Sequence, residues 1–245
     1  MVEAEAYSRL AGVYDEIVVD PSYRRWAHYL HELWSADERP VISVLDVCCG
    51  TGLLAAELVP LGYSIVGVDA SAAMLARARD LLGADVALMQ QSLPELTVDG
   101  VFDAAVSTFD GLNYLAPTEF ARSLAVVAQR LRPGGWLVFD LHTDAMMRFT
   151  AANPVVDGEA DGQGFVIESL VDEAARTCET RVEITRVSDG DTFTERHRQY
   201  FHCDADVRRA LADAGLTLLA VTDEYTETPV DDASLRATWV ARCAG

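Results

Sequence analysis

The segment Val44-Leu45-Asp46-Val47-Cys48-Cys49-Gly50-Thr51-Gly52 carries the residues best suited to hold a nucleotide-like ligand. Small residues at a strand-to-helix turn let the backbone approach a ligand closely. Asp69 ends the next apolar run, where a carboxylate can accept both hydroxyls of a ribose. Gly50-Thr51-Gly52-Leu53-Leu54-Ala55 matches the dinucleotide pattern GxGxxG/A in form, and a nicotinamide dehydrogenase rests on that match alone. A pyrophosphate needs a turn clear of negative charge, whereas Asp46 puts an acid just ahead of Gly50. A carboxylate there suits a ligand with a cationic amino group and no phosphates.

Few other side chains offer acid–base chemistry. His142 follows the fifth apolar run, at the sheet edge where doubly wound folds place ligands; a general base and a loop histidine bonded to backbone are both open to it. Asp110 follows the fourth run and either holds a cationic substrate amine or caps the next turn. His197 and His202 are five apart on one expected strand, hence on opposite faces; His197 is the one expected to point inward, toward substrate, and a structural or solvated role stays open to either. His28 and His31 belong to an amphipathic N-terminal helix and are expected at the surface. Trp26 and Trp239 read as core.

These groups need a scaffold, and the hydrophobic pattern supplies one. VISVLDVCC (41–49), YSIVGVD (63–69), DVALMQ (85–90), VFDAAVS (101–107) and WLVFDL (136–141) read as buried parallel strands. Between them Leu53-Leu54-Leu58, Met74-Leu75-Ala78-Leu82 and Phe120-Leu124-Val127-Leu131 have helical spacing. Arg132-Pro133-Gly134-Gly135 marks a return from helix to strand. The alternation predicts an α/β, Rossmann-like doubly wound sheet. Near residue 142 the pattern changes. Residues 143–163 read as loop, and FVIESLVDE, TRVEITRVS and TFTERHRQYFH follow as antiparallel strands, the last two joined by Asp189-Gly190. A helix over 204–214 and strands at LTLLAVTDE and LRATWVARC close the chain. The expected organisation is an N-terminal helical arm (1–36) anchored by Tyr14, Trp26, Tyr29 and Trp34, a binding core (37–142), an inserted β lid (143–203) and a closing segment (204–245).

Composition narrows the chemistry. The 245 residues include 39 acidic and 19 basic side chains, for a formal charge of −20, and half are apolar. Every basic residue is arginine, so Schiff-base chemistry, a Walker lysine and a Tyr-x-x-x-Lys dyad are excluded. A field of that sign repels phosphate backbones, and no nucleic-acid partner is expected. Cys48, Cys49, Cys178, Cys203 and Cys243 form neither a disulfide framework nor a zinc motif. No Asp/His cluster suggests a metal. The N-terminus lacks a signal-peptide pattern and no apolar stretch is long enough to span a bilayer, so a cytoplasmic protein with no membrane partner is expected.

With these residues in place, the sequence resembles the class I S-adenosylmethionine (SAM)-dependent methyltransferases. LDVCCGTG is similar to the family's first motif, VGVDAS to its second, and LRPGGWLVFD to the segment before its fifth strand. The resemblance implies a seven-stranded sheet of order 3-2-1-4-5-7-6 with the last strand antiparallel. It implies SAM as cofactor. Gly50 and Gly52 would form the cofactor turn and Asp46 would lie near the methionine amino group. Asp69 would bind the ribose, Ala70 and Met74 would flank the adenine, and Ser92 and Leu93 would meet its edge. Thr108 and Phe109 would bound the methionine tail. Cys48 replaces the usual first glycine, and Ser92 stands where an aspartate is common.

A narrower resemblance rests on Tyr7, Tyr14-Asp15, Thr108-Phe109-Asp110, Asn113-Tyr114-Leu115, the β insertion, His197, Phe201 and Ala214-Gly215-Leu216. These are similar to a small-molecule branch that includes deoxyamino-sugar N,N-dimethyltransferases, and glycine N-methyltransferase has a similar motif region. In that branch the insertion covers the substrate and can build a homodimer face. Tyr14 would place an electron-rich ring near the sulfonium, or else pack the N-terminal helix onto the sheet. The implied activity is methyl transfer to a small soluble molecule at an amine nitrogen. Transfer to the oxygen of a phenol or carboxylic acid, and a non-catalytic SAM binder on the same fold, stay open beside it. No Asn-Pro-Pro-Tyr-type tetrad follows the fourth strand, which argues against methylation of nucleic-acid bases.

Overall fold

A computed structural model describes residues 6–17, 22–188 and 190–244. The chain opens with a short 3-10 turn at Leu10–Gly12 and α1 (Tyr14–Ile17). Next comes α2 (Tyr23–Ser35), which buries Trp26, Leu30 and Trp34 along one stripe. Strands and helices then alternate, except that β3 leads straight to β4: β1 (Ser43–Val47), α3 (Leu53–Leu58), β2 (Ser64–Asp69), α4 (Ala72–Leu82), β3 (Ala87–Gln90), β4 (Phe102–Ser107), α5 (Pro117–Ala128) and β5 (Leu131–His142). The chain then runs through α6 (Asp144–Ala152), β6 (Val155–Ala160), β7 (Gln163–Asp172), β8 (Thr177–Arg186) and β9 (Thr192–Tyr200). It closes with α7 (Asp204–Asp213), β10 (Leu216–Asp223) and β11 (Arg236–Cys243).

The main sheet has the order β10-β11-β5-β4-β1-β2-β3. β1 pairs in parallel with β2 and β4, whereas β11 runs antiparallel to both β5 and β10. This is the expected 3-2-1-4-5-7-6 arrangement. Because β1 is central and buried on both faces, its residues alternate between two cores. Leu45 and Val47 pack with α5 and α7, and Val44 packs with Trp26, Trp34 and α3. The same alternation sends Asp46 into the interior, at 1 % exposure. The topological switch lies between β1 and β4, so the ends of β1, β2 and β4 open onto one crevice.

β6 to β9 form a separate antiparallel four-stranded sheet. Its inward face meets the N-terminal segment: Val182 and Ile184 pack with Leu10, Tyr7 and Tyr14. Two expectations change here. Residues 143–163 are not loop throughout, because Thr143 caps α6 by accepting from the Met146 N–H and residues 155–160 pair with β7. Gly and Asp in β6 hid a strand whose residues are mostly exposed. β5 also begins earlier than expected, at Leu131, with Pro133 and Gly134 inside its first turn of ladder. Of the Asp189-Gly190 hairpin signal, Asp189 lies outside the described residues; Gly190 takes φ +73°.

Candidate active site

β1 ends at Val47 and the next residues turn sharply. Cys48, Gly50 and Gly52 have φ of +59°, +55° and +82°, so three of five consecutive residues adopt the left-handed region. Two are glycines, which carry no penalty there; Cys48 is not. The turn is held from β2, where Asp69 accepts the Gly50 N–H at 2.9 Å and the Ser71 N–H at 2.8 Å. Burial raises the Asp69 carboxyl above the usual range, against the pull of those N–H groups. Asp46 lies beneath the turn with Oδ2 buried and lacking a hydrogen-bond partner. Burial, then the neighbouring Asp69 charge, pushes its pKa up to about 8.

A second left-handed pair, Phe109 and Asp110, follows β4 at φ +61° and +53°. The fully buried Asp140 of β5 holds it, accepting the Phe109 N–H at 2.7 Å and the Asp110 N–H at 2.5 Å. Arg236 of β11 completes the cluster, with ion pairs to Asp110 at 3.1 Å, Asp140 at 3.7 Å and Glu224 at 2.6 Å. Its guanidinium lies over the Phe109 ring, 4.7 Å from the centroid. The Asp110 carboxylate also faces His142 Nε2 at 3.4 Å and accepts from Gln199 at 2.7 Å. Burial alone would raise the Asp110 carboxyl, but His142 and Arg236 outweigh it and hold the pKa at about 2.

The N-terminal segment closes the crevice. Glu195 of β9, with no exposure, accepts the backbone N–H groups of Tyr7 at 2.7 Å, Arg9 at 2.6 Å and Leu10 at 2.8 Å, and the Ser8 hydroxyl at 3.2 Å. Tyr7 (φ +60°) in turn accepts the Ser71 hydroxyl on its carbonyl at 2.8 Å. Asp15 accepts the Thr51 hydroxyl at 2.8 Å, so the segment is tied to the turns after β1 and β2.

Between these walls lies a cavity of about 530 Å³. Of the residues singled out from sequence, Tyr14, Gly50, Asp69, Ala70, Met74, Thr108 and Phe109 line it. Asp46, Gly52, Ser92, Leu93, Asp110, His142 and His197 are not among the described lining residues. Gly52 begins α3 and packs so tightly on α4 that a Cβ would sit 2.7 Å from Leu82 Cδ1. Leu93 turns into the core formed by β1, α5 and β5. Asp110 is committed to His142, Gln199 and Arg236, and is thus saturated by partners rather than open to a substrate amine. His197 is buried and inward as expected, but behind Tyr114, whose hydroxyl lies 3.0 Å from its Nδ1. His202 lies past the end of β9, stacked on Phe120. His28 is exposed, whereas His31 is half-buried and contacts the Tyr63 hydroxyl at 2.9 Å.

Sequence reasoning gave no site role to Tyr7, Tyr23, Gln90 or Tyr114, all of which line the cavity. Three are tyrosines distant in the chain, and nothing in their spacing says that they converge. Among the described lining residues there is no arginine and no histidine; Asp69 is the formal charge, surrounded by Tyr7, Tyr14, Tyr23, Tyr114 and Phe109. A low-dielectric, electron-rich wall of this kind favours a cation and disfavours phosphate.

A family described as a methyltransferase domain matches residues 44–135. An uncharacterized methyltransferase from Geobacillus kaustophilus is 30% identical over 182 residues, covering 74% of this chain and 80% of that protein. The chain belongs to the class I SAM-dependent methyltransferases. The methyltransferase is also similar to the putative methyltransferase YqeM from Bacillus subtilis, 27% identical over 91% of both chains. A dTDP-3-amino-3,4,6-trideoxy-alpha-D-glucopyranose N,N-dimethyltransferase from Streptomyces venezuelae is 34% identical over 99 residues, which is 40% of this chain and 41% of that one. Among solved structures, a SAM-dependent methyltransferase from Clostridium acetobutylicum superposes with a TM-score of 0.85 at 22% identity, covering 98% of this chain and 100% of that one. The sugar N-methyltransferase KedS8 from a Streptoalloteichus species gives 0.79 at 22% identity, covering 100% and 97%. These structures share the fold.

The cavity fits the SAM that the family uses. Asp69 supplies a half-buried carboxylate at the end of β2, Asp46 leaves an orphaned carboxylate oxygen beneath the turn, and the described lining residues include no cation to oppose a sulfonium. No helix among the described residues is long and apolar enough to cross a membrane.

Proposed function

We propose that this methyltransferase acts on a small molecule at an amine nitrogen. The observation that carries the reading is the charge of the cavity wall: tyrosines, one phenylalanine and Asp69, with no described cationic side chain. Such a wall favours a cationic acceptor and offers a carboxylate or phosphate no countercharge. The sugar N-methyltransferase likeness of the fold supports the same acceptor class. When bound, SAM supplies a methyl group on a sulfonium, an already activated donor.

The chain's own residues bind, orient and exclude water. Asp69 would hold the ribose, with Ala70 and Met74 against the adenine and Gly50, Thr108 and Phe109 around the tail. Asp46, held largely protonated by burial in the empty protein, would supply a negative charge from beneath once a cation is bound. Tyr14 and Tyr23 line the cavity, and their aromatic rings would favour a sulfonium over the neutral thioether that remains after transfer. The N-terminal segment, pinned by Glu195, keeps water out of the cavity and fixes the acceptor's approach, and alignment of this kind is worth several kcal/mol of barrier. Asp140 and Arg236 take a positioning role, since they fix the left-handed turn at Phe109.

The acidic surface gives no footing for a nucleic acid or an anionic membrane, and the acceptor is accordingly a free small molecule. The test is S-adenosylhomocysteine release with amines, amino sugars, phenols and carboxylic acids. Turnover on amines supports the reading. Turnover confined to phenols or acids moves the acceptor to oxygen, and tight S-adenosylhomocysteine binding without turnover on any class leaves a binder.

A further inference from the structure

Tyr7, Tyr114, His197 and Glu195 come from three separate parts of the chain and meet in one line. The Tyr7 and Tyr114 hydroxyls are 2.7 Å apart, the Tyr114 hydroxyl is 3.0 Å from His197 Nδ1, and His197 Nε2 is 3.6 Å from Glu195 Oε2. The two tyrosines line the cavity; His197 and Glu195 are buried behind them. We propose that this line is a proton relay that takes a proton from a protonated amine acceptor at Tyr7 and stores it on His197, a proposal that rests on the amine reading above.

The chemistry of the end groups sets its direction. His197 Nε2 is buried with no hydrogen-bond partner, and the nearest charge it faces is the Glu195 carboxylate. A ring nitrogen lone pair turned on a carboxylate is repelled, and an N–H is attracted, so the neutral ring carries its proton on Nε2. Nδ1 is then an acceptor and Tyr114 donates to it. The Tyr114 oxygen accepts from Tyr7, which leaves the Tyr7 oxygen with lone pairs free to accept.

Glu195 is fixed as an anion. Its burial opposes ionisation, but the imidazole of His197 and the N–H groups of Leu10, Arg9 and Tyr7 hold its carboxyl below the usual range. Burial raises the phenols of Tyr7 and Tyr114 well above their ordinary values. They therefore pass protons as neutral hydroxyls and do not rest as phenolates. The other titratable groups facing the line are Tyr14, Asp69 and Asp110, the last held by Arg236 and His142. Arg196 and Arg198 alternate to the exposed face of β9.

The transfer balances. An ammonium N–H bond breaks and its proton goes to the Tyr7 oxygen. The Tyr7 proton moves to Tyr114, and the Tyr114 proton moves to His197 Nδ1. The products are a neutral amine with a free lone pair and an imidazolium beside a carboxylate. Only the neutral amine can attack a methyl group, so the relay removes the obstacle that an amine meets at neutral pH.

The experiment compares wild type, Tyr114→Phe and His197→Gln by S-adenosylhomocysteine release on an amine substrate from the panel, from about pH 6 to about pH 10. Tyr114→Phe deletes one oxygen and keeps the ring, and S-adenosylhomocysteine affinity within about threefold of wild type reports an intact cavity. The expected result is a loss in kcat/KM of about a hundredfold at neutral pH that shrinks toward the amine's own pKa. A structural role would lower the rate by the same factor at every pH, and that result, or no loss at neutral pH, overturns the relay. The His197 tautomer, read by ¹⁵N NMR without substrate, is expected to be Nε2–H; an Nδ1–H ring overturns the relay independently. Wild-type turnover on phenols or acids but no amine overturns the amine reading itself, which separates the two failures.

Discussion

The carboxylate of Glu195 accepts the backbone N–H of Leu10 at 2.8 Å, across 185 residues of sequence. With Tyr7, Ser8 and Arg9 donating to the same group, one buried side chain fastens the N-terminal segment over the cavity. Glu195→Gln replaces one acceptor oxygen by a donor that faces N–H groups. We expect a stability loss of about 2 kcal/mol and weaker S-adenosylhomocysteine binding, measured by thermal melts and calorimetry. The folded carboxyl lies below its unfolded value, so the fastening is fully present above the ordinary glutamate pKa and is lost as pH falls through the folded one. Binding that persists unchanged in the variant would refute this fastening role.

Asp69 both closes the turn and faces the cavity. Asp69→Asn keeps the shape but loses the charge and one acceptor, and Gly50 N–H and Ser71 N–H then compete for the remaining oxygen. S-adenosylhomocysteine affinity should fall at least tenfold, about 1.4 kcal/mol. Titration calorimetry showing wild-type affinity would remove Asp69 from the binding role.

Asp46 makes the empty protein sensitive to alkali. Its folded pKa of about 8 lies above the unfolded value, so the folded state holds the proton longer. Stability is fully present below the unfolded pKa and declines as pH rises toward about 8. A cationic ligand reverses the preference by stabilising the carboxylate. The ratio of SAM to S-adenosylhomocysteine affinity should therefore rise from pH 7 to pH 9 in wild type and stay flat in Asp46→Asn.

Cys48 and Gly111 are coupled by sterics. A Cβ on Gly111 would lie 2.7 Å from Cys48 Cβ, and Cys48 itself occupies a left-handed backbone. Gly111→Ala should destabilise by about 2 kcal/mol in wild type. In Cys48→Gly the same change should cost far less, because the obstructing atom is gone. Additive unfolding free energies in the double variant would show that the contact carries no energy.

Arg236 neutralises Asp110, Asp140 and Glu224 together. Arg236→Met would leave buried carboxylates unpaired, at a cost of about 3–5 kcal/mol. The melting temperature should drop by about 10 °C, and the Phe109 turn should loosen with it. A variant that melts within about 2 °C of wild type would show that the carboxylates are solvated or protonated instead.

The scaffold, and the candidate residues that follow its strand ends, can be read from local sequence. Short apolar runs mark β1, β2, β4 and β5, helical spacing marks α4 and α5, and a glycine turn after β1 with an acid after β2 can be read locally. Gly50, Asp69, Ala70, Met74, Thr108 and Phe109 all sit within a few residues of a strand end, so placing the strands places them. β6 escaped notice because its exposed residues carry no apolar alternation. The tyrosine side of the cavity depends on long-range contacts instead. Whether His142 or His197 faces the cavity depends on what stands in front of each, and Asp110 and Tyr114 come from the segment after β4 to fill those places. The tyrosine wall assembles from residues 7, 14, 23 and 114, and Glu195 finds its donors at the opposite end of the chain. Contacts of that range are set by how the lid sheet and N-terminal segment dock on the core, which no local periodicity encodes.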